Sequence, residues 1–174
     1  MDEQFMEGVV ALTTGALYTR IPLRLNLYNE EIEFRNRSGK VFNINNPDAI
    51  CEVTIGNAKY IYTKSNIHKE NKKILAEIIS EGNISLLKHY RIKLTEARPA
   101  QTHRAAQPPK LVKMPPEYLI RRNNGNAEPF KSEKELLALL SDKRDKAREI
   151  IRQQKFSLKN EQDLATIIKY LNEN

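Results

Sequence analysis

Histidine and cysteine are the side chains of this chain best suited to metal binding or nucleophilic chemistry, and they are few. His68, His89 and His103 stand apart, and none has another histidine or a cysteine within four positions. Zinc sites use ligands at such short spacings. We therefore predict no metal site and no cofactor, and we expect each histidine to be a surface or interface side chain.

Catalytic motifs are missing as well. The sequence contains no Gly-x-Ser-x-Gly, no P-loop and no Gly-x-Gly-x-x-Gly pattern. Cys51, the single cysteine, stands among Ile50, Val53 and Ile55, so it is predicted to be a small apolar core residue, not a reactive thiol. No catalytic residue is assigned, and no intramolecular disulfide can form.

The most suggestive charged residues fall on a predicted β-hairpin over residues 22–35, with a two-residue loop at 29–30. Apolar and polar residues alternate on both sides of this loop, which is the period of half-buried strands. The loop length would place Leu25 opposite Phe34, with the remaining apolar residues of both strands beside them.

On the polar face of this hairpin, the same register places Arg24 opposite Arg35. Like charges directly opposite each other on paired strands repel, and this repulsion lowers stability by roughly a few tenths of a kcal/mol or more. A bound anion, or Glu33 reaching diagonally, would offset this repulsion. The sequence thus suggests an anionic-ligand site formed by Arg24, Asn26, Tyr28, Glu33 and Arg35.

Glu31 and Glu33 offer a second interpretation of that face. By strand geometry they lie roughly 7 Å apart, within the range of carboxylate pairs that hydrolyse glycosides. A solvated polar face is the favoured interpretation, and an enzyme with a dispersed carboxylate site is kept as an alternative.

Net charge is concentrated in one segment. The chain carries 29 Lys or Arg and 22 Asp or Glu, and residues 97–131 alone hold seven of the former and two of the latter. Such a basic stretch could bind an anionic partner or follow a nucleic-acid backbone, with an aromatic ring for stacking. The candidate contact residues are Arg98, Arg104, Lys110, Lys113, Tyr118, Arg121 and Arg122.

An α+β fold is predicted, with a mainly antiparallel sheet followed by helices. Residues 1–96 form the β part, which could curl into a partial barrel, and 97–117 form a Pro-rich extended connection. Residues 118–174 add a β-hairpin and a three-helix tail packed on the sheet. Within 1–96, a second hairpin at Gly56-Asn57 is predicted to place Val53 opposite Tyr60.

The remaining elements follow from local signals. Strands are predicted at 9–13, 41–44 and 86–94, while 74–80 fits a strand or a helix. A hairpin is predicted around Asn124-Gly125. The capping box from Ser132 to Glu135 begins the first helix, 142–154 forms the second, and Asn160 caps the third.

Two regions of the chain resemble a family of uncharacterised bacterial exported proteins. The segment Ile21-Pro22-Leu23-Arg24-Leu25-Asn26-Leu27-Tyr28-Asn29-Glu30-Glu31-Ile32-Glu33-Phe34 resembles the start of that family. The tail is similar to its ending, from Leu136-Leu137-Ala138-Leu139-Leu140 through Phe156-Ser157-Leu158-Lys159 to Tyr170-Leu171-Asn172. The resemblance implies a precursor with a signal and a periplasmic or envelope location, and it carries no activity that could be transferred.

The N-terminus is compatible with that location. It is acidic and lacks a signal pattern, as an exported protein stripped of its signal would. If Met1 is the native start, a cytoplasmic location is expected instead. No apolar run approaches the ~20 residues of a transmembrane helix.

The sequence therefore predicts a non-enzymatic binding or protein-interaction module of the bacterial envelope. Its partner would be an unidentified protein or an anionic ligand. Nucleic-acid binding through the basic segment 98–122 is the alternative.

Overall fold

A computed structural model describes residues 4–67, 72–97, 106–123 and 125–173 and confirms the α+β fold. Within these ranges, ten strands form one sheet and three α-helices follow it. The strands are β1 (Met6–Leu12), β2 (Leu17–Asn26), β3 (Glu31–Arg35), β4 (Val41–Asn43), β5 (Ile50–Ile55), β6 (Ala58–Ser65), β7 (Lys72–Ser80), β8 (Ile84–Thr95), β9 (Lys110–Arg122) and β10 (Ala127–Pro129). The helices are α1 (Glu133–Leu139), α2 (Arg144–Gln154) and α3 (Glu161–Glu173).

The strand order across the sheet is β10-β9-β8-β7-β6-β5-β1-β2-β3-β4, and all neighbours in this order are antiparallel. The sheet curls far enough for β10 to pair also with β6, in parallel, through Ala127 and Ser65. It does not close into a barrel.

The helical tail covers the sheet through an apolar stripe on each helix. Leu164, Ile167, Ile168 and Leu171 of α3 are buried in one cluster with Leu86 of β8 and residues of α1 and α2. Their spacing is that of one helix face, and this face packs against the sheet.

The first hairpin forms, but its predicted register is wrong. Leu25 pairs with Ile32 and Arg24 with Glu33, because the loop spans residues 27–30 and is four residues long. A shift of two residues keeps every side chain on its predicted face, since strands alternate with a period of two. The apolar pattern therefore could not distinguish the two registers, and Arg24 does not face Arg35.

The second hairpin has the predicted register, with Val53 opposite Tyr60 and Ile55 opposite Ala58. Cys51, however, is exposed, so its prediction as a core residue is wrong. Ala11 of β1 pairs with Glu52 of β5, and the next residue of β1, Leu12, pairs with Ile50. Cys51 is therefore an extra residue of β5 without a paired residue in β1. Such a bulge shifts the alternation by one, and Ile50 is buried in its place.

β9 begins at Lys110, inside the segment 97–117 that was predicted as a connection. Pro115 and Pro116 lie within this strand. Glu117 pairs with His89 and Met114 pairs with Arg91, so the two prolines between them lie opposite the single residue Tyr90 and form a bulge. A bulge is where a strand tolerates residues without an N–H donor.

The other predicted strands are present. The segment 74–80, which fitted a strand or a helix, lies in β7, and the strands predicted at 9–13, 41–44 and 86–94 correspond to β1, β4 and β8.

The predicted chain turns and caps are present. β9 and β10 form the hairpin around residues 123–126, of which Asn124 lies outside the described ranges. The Ser132 hydroxyl accepts the backbone N–H of Glu135 at the start of α1. A 3-10 turn, Ser141–Lys143, precedes α2, and the Asn160 side chain accepts the Gln162 N–H at the start of α3.

The end of α3 is fixed to the sheet by one side chain. Asn172 Oδ1 accepts the backbone N–H of Ile84 at 2.9 Å, and Asn172 Nδ2 donates to the Ile84 carbonyl at 2.8 Å. Ile84 is buried, so these bonds satisfy backbone groups at the start of β8 that a strand partner would otherwise satisfy.

We predict that Asn172→Ala lowers the free energy of unfolding by about 2–3 kcal/mol, because it leaves two buried backbone groups unsatisfied. Urea denaturation followed by circular dichroism measures this loss. Glu173→Ala, an exposed change on the same helix, should stay within about 0.5 kcal/mol of the parent. Equal stabilities of the two variants would show that the Asn172 bonds are not formed.

Candidate functional site: a cleft along the edge of β8

The polar face of the first hairpin is internally paired. Arg24 Nε contacts Glu33 Oε2 at 2.5 Å, and Asn26 Nδ2 donates to Glu33 Oε1 at 3.0 Å. Glu33 is only 8% exposed, so the expected solvated face is not what forms around this carboxylate. The direct Arg24–Arg35 pairing that suggested an anion does not form, because Glu33 lies opposite Arg24.

Phe5 completes this cluster. The guanidinium carbons of Arg24 and Arg35 lie 4.6 and 4.1 Å from the centre of its ring. Cation–π contacts of this kind contribute roughly 0.5–1 kcal/mol at exposed sites. Glu31, the other carboxylate of the proposed pair, accepts a hydrogen bond from Asn43 Nδ2 at 2.8 Å.

Basic residues of β9 do not form one stripe. Lys110 and Lys113 are separated by an odd number of positions, as are Arg121 and Arg122. The two members of each pair therefore lie on opposite faces of the strand.

Two of the predicted contact residues are engaged by helical-tail carboxylates. Arg122 forms an ion pair with Asp142. Tyr118 donates its hydroxyl to Glu161 Oε2 at 2.8 Å, and burial, then this hydrogen bond, raises its pKa to about 12. Arg98 and Arg104 lie outside the described residues.

A cleft of about 530 Å³ separates the tip of the first hairpin from the far half of β8. Its walls include Leu27, Tyr28 and Glu30 of the hairpin and Met114 of β9. The remaining wall is formed by six successive residues of β8, namely His89, Tyr90, Arg91, Ile92, Lys93 and Leu94. Successive side chains of a strand point to opposite faces, so a cleft touching all six runs along the strand's edge.

That edge has no strand partner among the described residues. β7 pairs with β8 only as far as Glu77–Lys88, while β9 continues along the opposite edge to Thr95. Beyond Lys88, β8 and β9 therefore form a two-stranded ribbon. Backbone groups on the open edge of such a ribbon remain available for pairing with another chain.

His89 lies at the inner end of the cleft and is 6% exposed, so it is buried within the chain and is not the predicted surface or interface side chain. Its Nε2 is 3.0 Å from Glu30 Oε1, and its Nδ1 is 4.0 Å from Glu117 Oε2. Glu117 Oε1 also forms an ion pair with Arg91 Nη1, at 3.2 Å. Neither His89 Nδ1 nor Glu117 Oε2 has a hydrogen-bond partner within the described ranges.

The hairpin loop positions Glu30. This residue has a backbone φ of 57°, in the left-handed region that side chains other than glycine rarely adopt. Strained backbone of this kind is found where surrounding contacts hold it in place. Here the contact with His89 joins the loop to the β8–β9 ribbon.

Two tyrosines border the same region. The Tyr90 hydroxyl donates to Glu77, and burial, then this bond, raises the Tyr90 pKa. Burial raises the Tyr62 pKa to about 12; the negative charges of Glu31 and Glu30 act in the same direction, and a backbone hydrogen bond at Ile32 opposes them. Both phenols therefore remain neutral donors at ordinary pH.

Glu30 and His89 form an oriented pair in the cleft, beside exposed basic and apolar side chains. A carboxylate on one nitrogen of His89 orients the ring, as it would for a general base. The described residues lining the cleft, however, include no Ser, Thr or Cys that such a base could activate. No group of three potential metal ligands occurs in the described part of the chain, and none of its helices is long and apolar enough to span a membrane.

Comparison with protein-family models, curated proteins and solved structures finds no match to this chain.

Sequence analysis missed the cleft because its walls are distant in the chain. One signal was available for His89, which shares its strand face with Ser85 and Leu87, both buried. No local pattern indicated Glu30, since it was assigned to the predicted two-residue loop. Among the predicted ligand residues that the structure describes, Tyr28 alone lines the cleft.

We predict that Arg24→Ala lowers the free energy of unfolding by about 2 kcal/mol, because it leaves the buried Glu33 carboxylate without its charged donor. Arg35→Ala removes a contact with Phe5 and should cost less than about 1 kcal/mol. Chemical denaturation of both variants at neutral pH tests the pairing. A stabilised Arg24→Ala variant would instead support an Arg24–Arg35 register.

Proposed function

We propose that this chain is a non-enzymatic protein-binding module of the bacterial envelope that holds an extended segment of another protein in the β8 cleft. The supporting observation is the wall of six successive β8 residues along an edge that lacks a strand partner among the described residues. An added strand would pair its backbone with this edge, the recurring mode of β-strand addition.

The apolar side chains along the edge support binding as well. Leu94 and Met114 line the cleft and are 46% and 37% exposed, and Leu111, paired with Leu94, is 40% exposed. A peptide strand on the open edge would lie beside Leu94 and remove part of its apolar surface from water, at roughly 25 cal/mol per Å². Backbone pairing and apolar burial would then act together.

The envelope location is supported by the resemblance of residues 21–34 and of the tail to bacterial exported proteins. These segments form the first hairpin and the helical cluster, which also position the cleft. The proposed partner is therefore an envelope protein.

Strand addition predicts a specific response to a heptapeptide of alternating threonine and valine, acetylated and amidated at its ends. In NMR titrations, the backbone amides of residues 89–95 should shift more than those elsewhere. Two peptides N-methylated on alternate sets of residues should differ by at least about tenfold in affinity, because only one set of N–H groups faces β8.

The matched protein variants are Leu94→Ser and Leu17→Ser, both at exposed leucines, of which only Leu94 lines the cleft. Only Leu94→Ser should weaken peptide binding. Equal affinities of the two N-methylated peptides would exclude strand addition, and amide shifts centred outside β8 would exclude this cleft.

Location requires its own measurement. Fractionation of the native host, with mass spectrometry of the protein's N-terminus, should recover it from the envelope fraction after removal of a signal. Recovery from the cytoplasm with Met1 as the first residue would refute the envelope assignment and leave strand addition to be judged by the peptide experiment.

A further inference from the structure

The cleft edge of β8 carries two different faces. Arg91 and Lys93 lie on one face of the strand, while Ile92 and Leu94 lie on the other. β9 does not keep this division, because Val112 and Met114 pair with Lys93 and Arg91 on the first face and Lys113 pairs with Ile92 on the second. Along β8 itself, the strand that an added segment would contact, one face is basic and the other is apolar.

The positive charge on the first face is not balanced within the described residues. Lys93 and Lys110 are exposed and have no ion-pair partner there. Arg91 pairs with Glu117 yet keeps 41% of its side chain exposed. The two carboxylates of the cleft are already engaged, Glu117 by Arg91 and Glu30 by His89.

We infer that the segment bound at β8 alternates acidic and apolar residues, with its carboxylates beside Arg91 and Lys93 and its apolar side chains beside Ile92 and Leu94. This inference rests on the proposed strand addition and specifies its partner class. Residues of an added strand follow the same two-residue alternation as β8, so each type meets one face. Opposite charges on neighbouring strands attract, and apolar neighbours pack together.

The same charges disfavour a second copy of the chain as the occupant. Antiparallel pairing of two β8 edges would bring Arg91 and Lys93 of one copy beside those of the other. Like charges at neighbouring cross-strand positions repel, and lysines on edge strands are a common means of preventing self-association. A partner with negative charges at these positions removes that conflict.

Three acetylated and amidated heptapeptides test the inference with the whole chain. Each alternates valine with a second residue, which is aspartate, threonine or lysine. Calorimetry at low salt should give the aspartate peptide about tenfold higher affinity than the threonine peptide, the combined effect of two charge pairs. The lysine peptide should bind more weakly than the threonine peptide. The advantage of aspartate should diminish between 0.05 and 0.5 M salt, because salt screens exposed charges.

Lys93→Glu should abolish or reverse the preference for the aspartate peptide over the threonine peptide. Lys159→Glu changes the total charge equally at an exposed lysine of the helical tail and should leave the preference intact. Lys93→Gln should give an intermediate preference, since it removes a charge without reversing it.

The outcomes separate the two proposals. Equal binding of the aspartate and threonine peptides overturns the acidic partner class while strand addition stands. Failure of all three peptides to bind overturns both. Analytical ultracentrifugation that shows a dimer, lost in Leu94→Ser but not in Leu17→Ser, would identify a second copy as the occupant and overturn the inference.

Discussion

The contact between Glu30 and His89 joins the two parts of the sheet that form the cleft. Glu30 belongs to the loop between β2 and β3, and His89 lies on β8, beyond the point where β7 pairs with it. A four-residue loop with Glu30 at a positive φ brings this carboxylate to the ring. The loop length also sets the pairing of Arg24 with Glu33, so one local choice determines both polar clusters of the hairpin.

Two bulges adapt the strands to this arrangement. At Pro115 and Pro116, the extra residue of β9 lies opposite Tyr90, and the pairing resumes with Glu117 beside His89. At Cys51, the extra residue of β5 is exposed while Ile50 enters the core. Bulges disrupt the hydrogen-bond ladder locally, so the bulge in β9 can contain two prolines. Bulges also redirect side chains, so the bulge in β5 turns Cys51 outward.

β8 has two halves with different environments. Residues 84–87 are buried on both faces, under α3 on one side and within the curled sheet on the other, and Asn172 fixes their start. Residues 91–94 are largely exposed and line the cleft. Pairing with β9 continues to Thr95 and keeps the second half extended, so an incoming strand would meet a preorganised edge and lose less conformational entropy on binding.

The sequence by itself determined most of the strands, the apolar face of the first hairpin, and where the first and third tail helices begin. Alternation and capping are local signals, and Leu25, Val53 and Ser132 obey them. Only the tertiary structure decided the register of the first hairpin, because a shift of two residues preserves the alternation from which the register was inferred. The same holds for Cys51, since a bulge depends on the neighbouring strand. The burial of His89 between Glu30 and Glu117 and the open edge of β8 likewise arise from contacts between residues distant in the chain, which no local pattern encodes.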